Sequence, residues 1–477
     1  MRAGDCGLRR WGWAVSLFMT TLAWGQPTHE TATYRQLKTA LDAIPAIDTH
    51  DPLWPFDRLP GYVETQRGLG MNLAGLWRNS YFTSVHPLTA WTPGMSFTAW
   101  WDKAKHDFGD ARATSVCRYQ LPAFADLYNV DFDRITDAQA RDLDERIFAH
   151  YVNPNWVYHV ITERANIELM FNDPYWGRLE FKHDYPFGVL VFNVTEFVHS
   201  FHPSEFKQAS DDIYRFSRAE GLKVDSLADY QVVLARLFQR AKAAGAACLK
   251  TTLAYQRTLR FENVPEARAA RVFGRPRSEL SLPEIKEFED FIMWRLVELS
   301  ARYDLPFQIH TGHGRIQGSN PMNLVDLIEA NPRTKFILFH GGFPWVGETG
   351  IILMRHASHV WLDSVWMPTL SYSTAKRAFH EWLDVMPSSR IMWGGDANHA
   401  EGIYGATEMT RRCLAEVLAE KVDRGDLSEE HALRIGRQVL RDNALALFPQ
   451  LKDRLWKHKG ITMKPPETPA EGRRQAR

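Results

Sequence analysis

The chain has 477 residues, of which 45% are hydrophobic and 24% charged, and its 57 Lys and Arg residues balance 57 Asp and Glu residues. This composition is typical of a globular protein with a large core. A net charge of zero gives no electrostatic reason to expect nucleic acid or an anionic membrane as a partner. The four cysteines are widely spaced and match neither a disulfide framework nor a CxxC metal site.

The N-terminus has the pattern of an export signal. Arg9 and Arg10 precede an apolar stretch from Trp11 to Trp24, and small and polar residues follow it. The apolar stretch is short for a membrane span, so residues 1–25 are predicted to be a cleaved signal peptide. We therefore expect a periplasmic or secreted protein with no membrane contact after cleavage. An uncleaved anchor is the alternative, and the choice between general and twin-arginine export stays open.

Short apolar runs recur along the chain and predict eight β-strands, at about 44–50, 167–171, 187–192, 246–250, 307–310, 336–340, 360–363 and 391–396. Helical patterns lie between several of them, for example over 287–297. Strands that alternate with helices predict a parallel sheet, and eight of them predict an α/β fold, the (β/α)8 TIM barrel. We expect the barrel over residues 26–456, a large helical and loop insertion after strand 1 at about 51–166, and a disordered tail at 457–477.

Four of the predicted strand ends carry residues that bind metals, namely His50, His310, His340 and Asp396. In a closed barrel these side chains point into one mouth, whereas a lone histidine at a strand end is more often structural. Imidazole nitrogen and carboxylate oxygen are preferred ligands of zinc, manganese and iron. We therefore expect one shared divalent metal site, with zinc favoured, and Asp396 is a candidate to take a proton from water.

Further polar residues follow the predicted strands. Lys250 ends the fourth strand, and Tyr255, Arg257 and Arg315 lie just beyond strand ends, where they could bind an acidic substrate. Ordinary surface or loop pairing is the alternative for the last three. His313 and His399 lie two or three residues beyond strand ends and are expected to hold the metal ligands in place. Asp363 is expected to have a structural role.

The motifs Ile47-Asp48-Thr49-His50, Ile309-His310-Thr311-Gly312, Leu338-Phe339-His340 and Gly394-Gly395-Asp396 resemble those of the amidohydrolase superfamily. The similarity is to the amidohydrolase-2 type, which includes decarboxylases and relatives of uronate isomerase. The stretch from Leu249 to Arg257, and His310-Thr311-Gly312 running on to Ser319-Asn320-Pro321, resemble the amidohydrolase-like domain joined to some glutamine synthetases.

This resemblance implies roles for individual residues. His50, His310 and Asp396 match metal ligands of the family. His340 matches a histidine that binds a second metal or polarises the substrate. Lys250 matches the position of a carbamylated lysine in some members, although a free ammonium that pairs with a substrate carboxylate requires less special chemistry. Pro52 stands where the family has a second histidine. Asp51, His313 or a water could fill the position, the metal could bind differently, or catalysis could have been lost.

The expected function is hydrolysis of an amide, ester or lactone bond of a small molecule by a metal-activated water. A non-hydrolytic reaction on the same scaffold, decarboxylation or uronate isomerisation, is the first alternative, because a fold does not fix the reaction. A binding protein on a decayed barrel is the second. The substrate is expected to be a small molecule, with a carboxylate as one option, and a homo-oligomer is compatible with the sequence.

Overall fold

The computed structural model describes residues 27–173, 179, 181–206 and 212–463. The predicted signal peptide at 1–25 lies outside the described residues, as does the predicted tail from residue 464 onward. In the described part of the chain, no helix is both long and apolar enough to cross a membrane.

Eight parallel strands form one sheet, in the order β1-β4-β5-β6-β7-β8-β9-β10, and a separate antiparallel hairpin joins β2 to β3. The strand bounds are β1 Ala46–Asp51, β2 Val63–Thr65, β3 Gly68–Gly70, β4 Ile167–Asn172, β5 Gly188–Asn193, β6 Cys248–Thr251, β7 Phe307–His310, β8 Phe336–Phe339, β9 Val360–Asp363 and β10 Ile391–Met392. All eight predicted strands are present, and with the intervening helices they form the predicted (β/α)8 barrel.

The helices lie between and around these strands. Their bounds are α1 Ala32–Asp42, α2 Leu73–Arg78, α3 Phe97–Ala111, α4 Ser115–Arg118, α5 Leu121–Tyr128, α6 Asp137–His150, α7 Asn155–His159, α8 Ile213–Ala219, α9 Leu227–Ala243, α10 Glu266–Ala270, α11 Leu282–Tyr303, α12 Val325–Ala330, α13 Val346–His356, α14 Met367–Leu370, α15 Tyr372–Val385, α16 Ala400–Asp423, α17 Glu429–Arg437 and α18 Asn443–Leu447.

Helix α11 shows how local sequence produces these elements. Ser281 and Glu284 form a reciprocal capping box at its start, and Asp304 ends it in the left-handed conformation. Phe288 and Ile292 are among the side chains that its inner face buries, and each such side chain stabilises the fold by about 1.5–3 kcal/mol. Strands β7 and β8 are buried along their whole length, as expected when helices cover a parallel sheet.

Residues 52–166, between the first two barrel strands, hold the hairpin and helices α2 to α7. Aromatic side chains fill this segment: the Trp77 ring contacts the rings of Trp100, Trp101 and Phe132 at centroid distances of 5.5–6.0 Å. These residues belong to the same buried cluster as the barrel helices. The abundant tryptophans of this segment therefore fill a core.

The described residues continue to 463, past the predicted start of the tail at 457. The Tyr158 hydroxyl donates to the His458 carbonyl, and the Met463 amide donates to Asn155 Oδ1 at 2.7 Å. His458 is buried. Residues 457–463 thus pack against α7, which a basic, polar composition does not indicate.

Candidate active site

The four predicted metal-binding residues meet at the carboxyl end of the barrel. His50 lies in β1, His310 ends β7, and His340 directly follows β8. His50 Nε2 is 3.5 Å from Asp396 Oδ1, and His340 Nδ1 is 3.9 Å from Asp396 Oδ2. His340 Nε2 and His310 Nδ1 are 2.8 Å apart. All four side chains are buried, so the structure brings the predicted set together.

Burial keeps the two paired histidines neutral. It lowers the pKa of His310 and of His340 well below the ordinary value, and nearby Lys250 lowers both further. Burial opposes ionisation of Asp396, but His50, Lys250 and Tyr81 lower the pKa of its carboxyl below the usual value. The site therefore presents neutral imidazoles beside an ionised carboxylate, which are the protonation states that metal binding requires.

Lys250 lies at the centre of this region. Its side chain is fully buried, and its Nζ lies 3.5 Å from the centre of the Phe339 ring. Burial lowers the pKa of Lys250 to about 8, while Asp173, Asp396 and Asp363 oppose that shift. The ammonium is thus surrounded by carboxylates without touching one.

Several buried polar atoms at this end of the barrel have no hydrogen-bond partner, and they are His50 Nδ1, Asp51 Oδ2, Lys250 Nζ, Gln308 Oε1, His310 Nε2, Asp363 Oδ1 and Trp366 Nε1. Orphaned buried polar atoms are uncommon in folded proteins and call for an ion, a water or a ligand. Their concentration here indicates a site that binds something polar.

We tested whether these residues fit a divalent metal. Among the described residues, no group of three or more His, Cys, Asp or Glu side chains is arranged to hold an ion. The histidines instead form one pair with each other and two with Asp396. The donors nonetheless suit a metal chemically, since His50 and His310 each have a buried ring nitrogen without a hydrogen-bond partner, and imidazole nitrogen and carboxylate oxygen are ligands that zinc prefers.

Backbone strain is concentrated at the same place. His313, His340, Trp366 and Asp396 have positive φ angles of 35°, 61°, 66° and 57°. Such angles are rare for residues other than glycine, and they cost of order 1–3 kcal/mol each. Strained residues that the surrounding structure holds in place cluster at functional sites, which supports the assignment of the mouth as the site.

Strand-end reasoning missed four residues of the mouth. Asp173 directly follows β4, and Asn193 ends β5 and donates to the Asp173 carboxylate at 3.2 Å. The rule that identified His310 would have identified both. Tyr81 and Trp366 come from loops: the Tyr81 hydroxyl donates to Asp396 Oδ1 at 2.8 Å, and its ring centre is 4.2 Å from that of Trp366. No sequence signal indicated these two.

The predicted substrate-binding residues occupy different positions. The Tyr255 ring lies 4.4 Å from that of His310 and is 42% exposed, so it borders the mouth. Arg315 is exposed on the loop after β7. Arg257 is buried instead, where its guanidinium binds Glu289 at 2.7 Å and also Asp290. Those two carboxylates neutralise the charge of the Arg257 guanidinium inside the fold.

The predicted supporting residues also separate. The exposed His313 ring lies 4.9 Å from Trp366. His399 caps α16, where its Nδ1 accepts from the Gly402 amide at 3.1 Å. The Asp363 carboxylate accepts from the Thr49 hydroxyl inside the barrel through one oxygen, and its other oxygen has no hydrogen-bond partner.

The carboxyls of Asp48 and Asp51 lie beside Asp396. Asp48 accepts from the Gly395 amide at 3.1 Å, and Asp51 accepts from the Ala397 amide at 2.5 Å. Burial raises the pKa of Asp48 to about 7, and burial together with Asp48 raises the pKa of Asp51 well above its usual value. Asp51, the residue before Pro52, is thus bound to the segment that follows β10.

A cleft of about 660 Å³ opens elsewhere, between α5 and α16, and its lining includes Arg112, Asp133 and Tyr372. Arg112 is paired with Asp133 there, and Tyr372 donates to Glu416. None of the predicted site residues lines this cleft. We therefore place the candidate active site at the barrel mouth.

Comparison with known proteins found one family model, a curated relative and several solved structures. Residues 230–450 match the family model described as amidohydrolase. This match covers a little under half of the chain and makes that part similar to the amidohydrolase family. His310, His340 and Asp396 lie within the matched residues. Protein fluG of Emericella nidulans is 27% identical over 216 residues, which are 42% of this chain and 24% of that protein. The chain thus spans about a quarter of the length of that relative.

Two solved structures have the same fold. Uronate isomerase from Thermotoga maritima aligns with a TM-score of 0.68 and 14% identity, over 87% of this chain and 97% of that one. Glucuronate isomerase from Caulobacter crescentus aligns with a TM-score of 0.66 and 16% identity, over 88% of this chain and 94% of that one. At such identities the likeness establishes the barrel and leaves the reaction open.

Proposed function

We propose that the protein is a metal-dependent hydrolase that acts on an amide, ester or lactone bond of a small organic acid. The observation that carries the proposal is the ionised Asp396 carboxylate beside His50, in a mouth where two histidines keep an unpartnered ring nitrogen. His50, His310 and Asp396 would hold a divalent metal, for which zinc is our first choice. Such an ion supplies a Lewis acid and activates water near neutral pH.

The residues of the chain divide the remaining work. Asp396 accepts the proton of the attacking water, because its carboxylate stays ionised in the buried site. His340 contacts the Val365 carbonyl at 3.3 Å through Nδ1 and His310 at 2.8 Å through Nε2, so it holds the His310 ring in place. Trp366 and Tyr255 wall the mouth. Tyr81 holds Asp396 in place through its hydroxyl.

Lys250 is the basis for proposing an acidic substrate. Its buried ammonium has no hydrogen-bond partner, and leaving such a charge unpaired is costly. A substrate carboxylate would supply the missing partner. This observation also supports a second candidate, a non-hydrolytic reaction on an organic acid such as the uronates after which the two structural neighbours are named. The N-terminal pattern supports a periplasmic or secreted location.

Metal content tests the proposal. We expect the purified mature protein to contain close to one equivalent of zinc, manganese or iron by elemental analysis. The double variant His310→Ala, Asp396→Ala should lose it. His380→Ala, a partly exposed histidine that pairs with Glu420, is the matched control and should keep the metal. A metal-free wild type that also fails to take up added zinc would contradict the proposal.

A substrate screen separates the two candidate reactions. Lactones, esters and amides of small carboxylic acids are incubated with the metal-loaded protein beside free uronates. A lactone product heavier by one water, or cleavage of an ester or amide into two products whose masses add up to the substrate plus one water, supports hydrolysis. A product of unchanged mass from a uronate supports isomerisation, and loss of carbon dioxide supports decarboxylation. Lys250→Met should weaken the binding of acids more than that of their neutral analogues.

A further inference from the structure

The barrel closes between its last and first strands by individual hydrogen bonds. No paired register joins β10 to β1 in the described chain. Instead the Thr49 amide donates to the Trp393 carbonyl at 3.1 Å, and the Asp396 amide donates to the His50 carbonyl at 3.0 Å. This seam, formed by residues 48–51 and 393–397, contains two of the proposed metal ligands.

Strand β1 accepts hydrogen bonds from three consecutive backbone amides on the other side of the seam. Gly395 donates to the Asp48 carboxyl, Asp396 to the His50 carbonyl, and Ala397 to Asp51 Oδ1 at 2.5 Å. Both aspartates are fully buried. The amides before and after Asp396 thus donate to the side chains of Asp48 and Asp51. These two bonds depend on which residues occupy positions 48 and 51, whereas the bond to the His50 carbonyl would form with any residue there.

These bonds surround a strained residue. Asp396 has a φ of 57°, which a residue with a side chain adopts only when its surroundings enforce it. A side chain at the neighbouring Gly395 would press on these groups, because a Cβ there would lie 3.2 Å from both Asp48 Oδ2 and Asp51 Oδ1. The two carboxyls therefore fit closely around the turn that aims Asp396 at His50.

We propose that Asp51 is a positioning residue for Asp396. Its Oδ1 accepts from the Ala397 amide, directly after Asp396, and its Oδ2 has no hydrogen-bond partner. In this arrangement β1 contributes one ligand, His50, and the next side chain fixes the Asp396 carboxylate. The inference rests on the proposed metal site.

Zinc affinity distinguishes positioning from ligation. Asn keeps an oxygen that can accept from the Ala397 amide, so the zinc affinity of Asp51→Asn should stay within about threefold of wild type. Asp51→Ala should bind zinc about 10–100-fold more weakly, which is the usual effect of removing a group that orients a ligand. Affinities are measured by competition with a chromogenic chelator. Ser364→Ala is the control for general destabilisation. It removes a buried hydrogen bond to the Met392 carbonyl in β10 and should retain zinc affinity.

Each result has one meaning. Equal losses in Asp51→Asn and Asp51→Ala would overturn the inference in favour of a direct ligand. Unchanged affinity in Asp51→Ala would show that Asp51 does not position Asp396, and the metal site would stand. A wild type without zinc affinity overturns the proposed function and this inference together. If Asp51→Ala does not fold, Asp51→Asn alone decides: zinc affinity within about threefold of wild type supports positioning, and a loss of about 10–100-fold overturns the inference in favour of a direct ligand.

Discussion

Pro52 removes a side chain that could bind metal, and the structure shows what surrounds the gap. Of the groups that the sequence suggested as replacements, His313 is exposed on the rim, and Asp51 is bound to the Ala397 amide. The second oxygen of Asp51 has no hydrogen-bond partner, so this oxygen and a water remain as the replacements. The loss of one ligand is compatible with a site in which His50, His310 and Asp396 keep the necessary donors.

Asp144 is a buried carboxyl far from the mouth that makes stability depend on pH. It accepts from the Leu73 amide at 3.0 Å and from Arg67. Burial raises the pKa of Asp144 from 3.8 to about 6. The folded state therefore binds more protons than the unfolded state between pH 4 and 6, so this carboxyl makes stability fall as pH rises through that window.

Asp144→Asn should remove this dependence. Relative to wild type, the variant should gain up to about 3 kcal/mol of unfolding free energy between pH 4 and 6, and the difference should stay constant above pH 6. Urea unfolding at several pH values measures it. Asp142→Asn, an exposed position on the same helix, is the matched control. A difference that is independent of pH would contradict the assignment.

At the scale of elements, a buried carboxylate joins residues 52–166 to α16. Glu401 accepts from the hydroxyls of Tyr128 and Tyr151 at 2.6 and 2.5 Å and from the Trp156 indole at 3.1 Å. Burial opposes its ionisation, but His399 and the tyrosines lower the pKa of Glu401 to about 2. The stabilisation from this anion is complete above pH 4.5 and is lost as pH falls toward 2.

Glu401→Gln should therefore destabilise the protein by about 3 kcal/mol at pH 7, because buried donors lose a charged acceptor. Glu408→Gln on the same helix removes a partly exposed ion pair with Lys38 and should cost less than about 1 kcal/mol. Thermal and urea unfolding of both variants tests the comparison. Equal effects would mean that the Glu401 network does not anchor the segment.

For the whole molecule, the shared core predicts cooperative unfolding. Residues 52–166 and the barrel helices bury one continuous apolar cluster, and the Glu401 network connects them. We expect one transition, with coincident midpoints from tryptophan fluorescence, to which both residues 52–166 and the barrel contribute, and from far-ultraviolet circular dichroism. Two separated transitions would show that the segment and the barrel are independent units.

The sequence alone determined the barrel and its principal site residues. Strands buried under helices read as short apolar runs, and the carboxyl ends of parallel strands meet at one mouth. His310, His340 and Asp396 could therefore be grouped from spacing, although 86 residues separate the first from the last. The same rule would have included Asp173 and Asn193, since each follows or ends a strand.

Only the tertiary structure decided which other side chains reach the mouth. Tyr81 is 315 positions from the Asp396 carboxylate to which it donates, and no periodic pattern connects a loop to a distant strand end. Arg257 looked like a substrate-binding residue, but Glu289 and Asp290 on α11 bind its guanidinium inside the fold. Strand positions follow from a local period of two, whereas loop contacts depend on how separate elements pack, and that information is spread over the whole chain.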